Sequence, residues 1–95
     1  MRKATKISVE ECCTRYSIET VFVEQLDQYG LIELRRSGKK AFIDFEQLAD
    51  LERYVHLHYD LDINMEGMDA IRHLLDRLQF LQQEIKRLRG EAEKE

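Results

Sequence analysis

The longest regular pattern of hydrophobic and polar residues lies at the C-terminal end of the chain, from Asn64 to Glu95. Large apolar side chains recur there at steps of three and four residues, the spacing of one face of an α-helix. Isoleucine or leucine fills the a position and leucine the d position of an unbroken heptad at Ile71, Leu74, Leu78, Leu81, Ile85 and Leu88. This combination favours a two-stranded parallel coiled coil. The pattern predicts one long helix that pairs with a second copy of this chain or with another chain, and we expect a homodimer.

The two halves of this helix carry different patterns. Met68 and Leu75, both at e positions, widen the apolar stripe only in the first half. We therefore expect the first half to pack on the rest of the chain and the second half, through Leu78, Leu81, Ile85 and Leu88, to pair. The alternative is that the whole helix packs on its own domain, but a helix of about 40 Å exceeds what so small a domain covers. Phe80, at a c position, packs on the third helix of the same chain or on a swapped partner domain, or else it is an exposed anchor for a partner.

The N-terminal half predicts two short helices separated by a brief turn. Ser8 with Glu11 three residues later has the form of a capping box, which opens a helix running to about Tyr16 after a short extended lead-in at 5–7. Ser17 offers a second N-cap for a helix that carries Ile18, Val21, Phe22 and Leu26 and stops at Tyr29-Gly30. The pattern is typical of a helix-turn-helix.

Between residues 31 and 44 the period changes to that of a β-hairpin. Two short strand candidates, 31–35 and 40–44, flank the turn-forming pair Ser37-Gly38. Asp44 followed by Gln47 then predicts the N-cap of a third helix, which runs to about Asp60. Its buried stripe is predicted to consist of Phe45, Leu48, Leu51, Val55 and His58 or Tyr59. Asp62-Ile63-Asn64 breaks this helix, and Asn64 caps the long one, so we divide the chain into a module at 1–62 and a dimerisation helix at 63–95.

Composition and charge narrow the class of protein. Charged residues make up 36% of the 95 residues and the net charge is -4, so the overall positive field of a free-standing nucleic-acid or membrane binder is absent. The sequence has no apolar run long enough to span a membrane, and the basic start lacks an apolar signal region, so we expect a cytoplasmic protein. Cys12 and Cys13 are adjacent, which favours reduced thiols with at least one facing the core.

The sequence offers little for catalysis. His56 and His58 are two residues apart and point to different faces of a helix, and His73 lies in another helix, so no metal site is predicted. A nucleophilic role for Cys12 or Cys13 would require a neighbouring base and an electropositive pocket, and neither is indicated. No glycine-rich phosphate loop is present. We therefore expect a non-enzymatic protein without a cofactor.

The order helix-turn-helix, small hairpin, helix and long helix resembles the MerR-type winged-helix architecture, mainly α with a β-hairpin wing. The likeness covers residue 7 to about residue 59 and is carried by Tyr29-Gly30-Leu31-Ile32, by the basic wing 35–40 and by Phe42-Ile43-Asp44-Phe45. Within that group, the junction 57–68 and the ending 78–89 look most like the CbpM family of chaperone modulators. Members of that family bind the J-domain of the DnaJ-like co-chaperone CbpA and inhibit it, so the resemblance implies a protein-binding regulator.

The second helix departs from the DNA-reading helix of MerR regulators. Where that helix carries an arginine and an aromatic residue, this chain has Glu24 and Leu26, and from Ile18 to Tyr29 it has no lysine or arginine. Its charges are Glu19, Glu24 and Asp27, which would point carboxylates at phosphates. Either they form an ordinary solvated face, or with exposed apolar neighbours such as Phe22 or Val23 they receive the basic second helix of a J-domain.

The wing supports the alternative function, a MerR-like DNA-binding transcriptional regulator. Its cations are Arg35, Arg36, Lys39 and Lys40, joined by Arg2, Lys3 and Lys6 near the start of the chain. Winged-helix proteins contact the DNA backbone with such residues. Lysines on a hairpin also prevent edge-to-edge pairing of strands, so the charges have a structural interpretation as well. Opposed by the acidic second helix, the wing alone would bind nucleic acid weakly.

Overall fold

The computed structural model describes residues 5–93, and these form a mainly helical domain with a small sheet and one long helix. The elements are β1 (Lys6–Ser8), α1 (Val9–Tyr16), α2 (Thr20–Gln28), β2 (Arg35–Ser37), β3 (Lys40–Asp44), a 3₁₀ turn (Phe45–Gln47), α3 (Leu48–Val55), a π-helical turn (His56–Asp60) and α4 (Met65–Glu93). This is the predicted winged helix-turn-helix with a long C-terminal helix.

The sheet has three antiparallel strands in the order β1-β3-β2. Ile7 pairs with Ile43 on one side of β3, and Arg36 pairs with Ala41 on the other. Gly38 supplies the left-handed residue of the hairpin turn, with φ of 63°. The extended lead-in predicted before α1 is therefore a strand that covers one edge of the hairpin.

Local capping rules correctly locate several helix ends. The Glu11 amide donates to Ser8 Oγ at 3.1 Å and opens α1. The Gly67 amide donates to Asn64 Oδ1 at 2.8 Å and opens α4. Gly30, with φ of 72°, follows α2, and the Leu31 amide closes that end by donating to the Leu26 carbonyl at 2.9 Å.

The prediction that Ser17 caps the start of α2 is wrong. Ser17 adopts a left-handed conformation, with φ of 55°, and ends α1 instead. The Ile18 amide then donates to the Cys13 carbonyl at 3.0 Å, and α2 begins two residues later behind Glu19, which makes no side-chain cap. From the sequence, a serine between two helices can be the C-cap of the first or the N-cap of the second. The short turn between α1 and α2 requires a left-handed residue, so Ser17 is the C-cap of α1.

The first predicted strand, 31–35, is also wrong, because the chain there is a buried loop and β2 begins only at Arg35. Leu31, Ile32 and Leu34 are all buried, so the segment lacks the alternation of a surface strand. The Leu31 and Ile32 amides donate to the Leu26 carbonyl, whereas the backbone of Glu33 is satisfied by a distant side chain. Gln47 accepts from the Glu33 amide at 2.7 Å and donates to the Glu33 carbonyl at 2.8 Å.

The third helix differs from its prediction at its start, and at its end it reaches the predicted Asp60 through a π-helical turn. Asp44 makes no side-chain cap and instead binds Arg35, while Phe45 lies in the 3₁₀ turn with 42% of its surface exposed. Leu51 is buried as predicted, and Tyr54 joins it in the core. The π-helical turn then continues the chain to Asp60.

One hydrophobic core joins all four helices and the sheet. Its members are Val9, Cys12, Ile18, Phe22, Val23, Leu26, Leu31, Ile32, Leu34, Ile43, Leu51, Tyr54, Met65 and Met68. The two methionines come from the first turns of α4, as expected for the half of the long helix that docks on the domain. Cys12 is the buried cysteine of the pair, and both thiols are free.

No helix within residues 5–93 combines the length and apolarity needed to cross a bilayer.

The orientation of α2 predicts that alanine substitution at two of its aliphatic residues changes the free energy of unfolding by different amounts. Leu26→Ala should lower the free energy of unfolding by about 3 kcal/mol, because a fully buried leucine leaves a cavity. Val21→Ala should change it by less than about 0.5 kcal/mol, because Val21 is 63% exposed. Urea denaturation followed by circular dichroism measures both. Equal losses would contradict the orientation.

Cys12 predicts a loss of stability at alkaline pH. Burial raises the pKa of its thiol from 9.0 to about 11, so the folded protein holds this proton after the unfolded chain releases it. This contribution to the free energy of unfolding is complete below pH 9 and is lost as the pH rises through about 11, and the shift of about two pKa units corresponds to about 2 to 3 kcal/mol.

Urea denaturation at pH 8 and pH 11 tests this expectation. Cys12→Ala should lose less stability than the wild type between these two pH values. Cys13→Ala should lose nearly as much as the wild type, because burial is the main cause of the raised pKa of Cys12 and the charge of Cys13 is a smaller one. Identical pH profiles for Cys12→Ala and the wild type would show that the buried thiol is not responsible.

Candidate functional site: the surface of α2 and the wing

The β2–β3 hairpin, which we call the wing, is joined to α2 by a cluster of charges. Arg36 Nη2 lies 2.9 Å from Glu24 Oε2 and 3.4 Å from Asp27 Oδ2. The hydrogen bond to Glu24, with the charge of both carboxylates, raises the pKa of Arg36 above its ordinary value. We call these three residues the wing clamp. The acidic helix and the basic wing are thus in direct contact.

Asp27 holds two groups at once. Its Oδ2 contacts Arg36, while its Oδ1 accepts from the Leu34 amide at 3.2 Å. The second bond fixes the buried loop that leads into the wing. Asp27 is therefore a structural residue as well as a charge on the surface.

The other wing cations differ in their partners. Arg35 Nε lies 2.9 Å from Asp44 Oδ2. Lys39 and Lys40 are exposed at the hairpin turn, and within residues 5–93 no carboxylate lies at ion-pair distance from either. The ammonium of Lys6 lies 4.7 Å from the centre of the Phe42 ring. Arg2 and Lys3 lie outside the described residues.

Two of the predicted partner-binding residues are not on the surface. Phe22 is 3% exposed and Val23 is completely buried, because both face the core beside Leu26. The expectation that they are exposed apolar neighbours of the acidic residues is wrong. Glu19 is exposed, and Glu24 and Asp27 are partly covered by the wing.

The exposed strip of α2 consists of other residues. Val21, Gln25 and Gln28 follow one another at helical spacing on the face opposite the core, and Val21 is its large apolar member. The sequence pattern was sufficient to identify this exposed strip. Once Phe22, Val23 and Leu26 are assigned to the core, the residues at 21, 25 and 28 point outward.

An aromatic cluster holds the start of α2 in place. The His58 ring stacks on Phe22 with centroids 4.7 Å apart, and the Tyr59 ring meets Phe22 edge-on at 5.3 Å. The Glu19 amide donates to the Tyr59 hydroxyl at 3.2 Å. These contacts come from the π-helical turn, which sequence periodicity alone did not indicate.

The remaining titratable groups show no arrangement for metal binding within residues 5–93. His56 Nδ1 contacts Asp60 at 2.7 Å, and His73 Nδ1 contacts the Asp69 carbonyl at 2.7 Å. Each contact joins residues four positions apart, the first within the π-helical turn and the second within α4. Cys12 is buried with a raised pKa, which makes its thiol a poor nucleophile at neutral pH.

Residues 5–93 leave the apolar seam of α4 uncovered from Leu74 onward. Leu74 belongs to the half predicted to pack on the domain, so for this residue the prediction is wrong. Leu74, Leu78, Leu81, Ile85 and Leu88 are each between 49% and 66% exposed. Phe80 is 60% exposed, so it does not pack on the third helix of its own chain. Such a contiguous apolar surface is typical of an interface.

The chain is similar to a known family of regulatory proteins. A model of the family described as MerR HTH family regulatory protein matches residues 7–90. No curated protein matches the chain. The match spans the helix-turn-helix, the wing, the third helix and most of α4, and the chain therefore belongs to the MerR HTH family of regulatory proteins.

Proposed function

We propose that this MerR-type regulator is a non-enzymatic protein-binding module that engages the J-domain of a DnaJ-like co-chaperone and inhibits it. The proposal combines the family membership with the resemblance of residues 57–68 and 78–89 to the CbpM family. Its central support is the charge of α2 and the wing. In this chain the surface that a DNA-binding relative would place in the major groove carries carboxylates.

The electrostatics of α2 disfavour DNA. Glu19, Glu24 and Asp27 would approach phosphates, and the helix has no lysine or arginine to offset the repulsion. Arg36, the wing cation nearest to α2, is already bound to Glu24 and Asp27. A groove-binding helix would therefore have no cation of its own to hold it on the DNA.

The same surface suits a basic protein helix. Val21 supplies an exposed apolar contact, Gln25 and Gln28 supply adaptable hydrogen-bonding groups, and Glu19 supplies negative charge at the edge. Charge complementarity of this kind steers encounter and fixes orientation. The second helix of J-domains is typically basic, so it is the surface that we expect α2 to receive.

The second candidate function is weak DNA binding, and the observation that favours it is the exposure of Lys39 and Lys40 at the wing turn. Two lysines of this kind contact the backbone without reading sequence. Such contacts give salt-sensitive, nonspecific binding.

We further propose that the protein is a homodimer through the seam of α4. Leucine or isoleucine occupies each a and d position from 71 to 88, and the second half of this seam is about half exposed in the single chain. A second copy presents the same seam, so it is a matching partner for this surface.

The J-domain proposal predicts that changes on the exposed strip of α2 weaken the complex. Glu19→Lys and Val21→Asp should each reduce affinity for the J-domain by about tenfold at low salt, because one reverses a complementary charge and the other places a charge on an apolar contact. Isothermal titration calorimetry measures the affinity. Neither side chain takes part in the core, so both variants should fold.

Glu46→Lys is the matched control, since it makes the same change of charge in the 3₁₀ turn. It should bind like the wild type. The wild type should bind random duplex DNA weakly in a salt-titrated shift assay. Tight, salt-sensitive DNA binding together with no retention of a J-domain would overturn the proposal in favour of the second candidate.

The dimer proposal predicts that a charge within the seam produces a folded monomer. Leu81→Glu or Ile85→Glu should lower the sedimentation mass by half, while Gln83→Glu, at an f position on the other side of α4, should leave it unchanged. Wild-type protein that sediments as a monomer at high concentration would contradict the dimer and make the seam a docking surface for another protein.

A further inference from the structure

The wing clamp lies beside a small cleft that collects the wing cations. The cleft has a volume of about 140 Å³ and lies between the wing and the first turns of α1 and α2. Arg36, Lys39 and Lys40 line it together with the carboxylates of Glu24 and Glu10. Three cations around a cavity of this size are suited to a phosphate group, and the carboxylates oppose that use.

The guanidinium of Arg36 is the group for which phosphate and carboxylate compete. The side chain of Arg36 is 55% exposed, whereas the side chains of Glu24 and Asp27 are 35% and 27% exposed. The two carboxylates are attached to the same domain, so they compete with any external anion at a high effective concentration. A phosphodiester would have to displace both and would be repelled by them.

We infer that the wing clamp is an autoinhibitory contact that prevents the wing from binding the nucleic-acid backbone. With Glu24 and Asp27 neutral, Arg36, Lys39 and Lys40 would outweigh Glu10, the carboxylate that still lines the cleft, and together hold a phosphodiester. The carboxylates on α2 thus suppress an activity for which the wing retains the cations. This inference concerns nucleic acid alone and does not depend on the proposed co-chaperone partner.

The charges of the wing clamp can be removed without unfolding the domain. Ion pairs with exposed members contribute little to the stability of a fold, so neutral replacements of the same shape should leave the domain folded. Asp27→Asn keeps the side-chain oxygen that accepts from the Leu34 amide, a hydrogen bond of 3.2 Å in the wild type. Glu24→Gln with Asp27→Asn therefore removes the charges and preserves the loop.

The test is fluorescence anisotropy of a labelled random-sequence DNA duplex with the full chain at several salt concentrations. We expect Glu24→Gln/Asp27→Asn to bind the duplex about tenfold more tightly than the wild type at low salt. The plot of log K against log salt should become steeper by about 0.9 for each additional phosphate that the protein neutralises. Circular dichroism and thermal unfolding establish that both proteins are folded.

Glu33→Gln/Glu46→Gln is the matched control. It makes the same change in net charge at two exposed carboxylates that form no ion pair within residues 5–93. It should raise the affinity for the duplex much less. Adding Arg36→Gln to Glu24→Gln/Asp27→Asn should remove most of the increase in affinity, because the released guanidinium is then absent.

Three outcomes would overturn the inference. The clamp variant binding DNA no more tightly than the wild type is one, and an equal increase in affinity in the matched control is another. An increase that persists without Arg36 is the third. A J-domain titration of the clamp variant reports separately on the proposed partner, so failure of one proposal is distinguishable from failure of the other.

Discussion

The burial of one face of α2 is the constraint on which the rest of the surface depends. Phe22, Val23 and Leu26 are enclosed by the other helices and the sheet, so the helix has a single possible rotation about its axis. That rotation places Val21 and Gln25 outward and turns the carboxylates of the wing clamp toward the wing. The function of the surface therefore follows from how the core is packed.

The wing and α2 form one electrostatic unit because of this packing. Considered separately, the acidic α2 disfavours binding of nucleic acid and the basic wing favours it. In the structure Arg36 is held by Glu24 and Asp27, so much of the positive charge nearest to α2 is compensated within the domain. Lys39 and Lys40 remain exposed at the turn, without an ion pair in the part of the chain that the structure describes.

Features with local causes were predictable from the sequence. Ser8 and Asn64 begin helices through hydrogen bonds to residues a few positions away. The loop at 31–34 was not predictable, because the backbone of Glu33 at its centre is satisfied by Gln47, whose proximity arises only after folding. The candidate site was predictable only in part for the same reason. The acidic character of α2 needed no structure, but which of its carboxylates are free depends on Arg36, which reaches α2 across the folded domain.

The central claim is that the outer face of α2 receives a basic protein helix. Amide hydrogen exchange of the wild-type protein, with a saturating J-domain and separately with duplex DNA, tests it most directly. We expect the J-domain to protect residues 19–29 and DNA to leave them unchanged. Protection of residues 35–40 and α2 by DNA, with none by the J-domain, would contradict the claim.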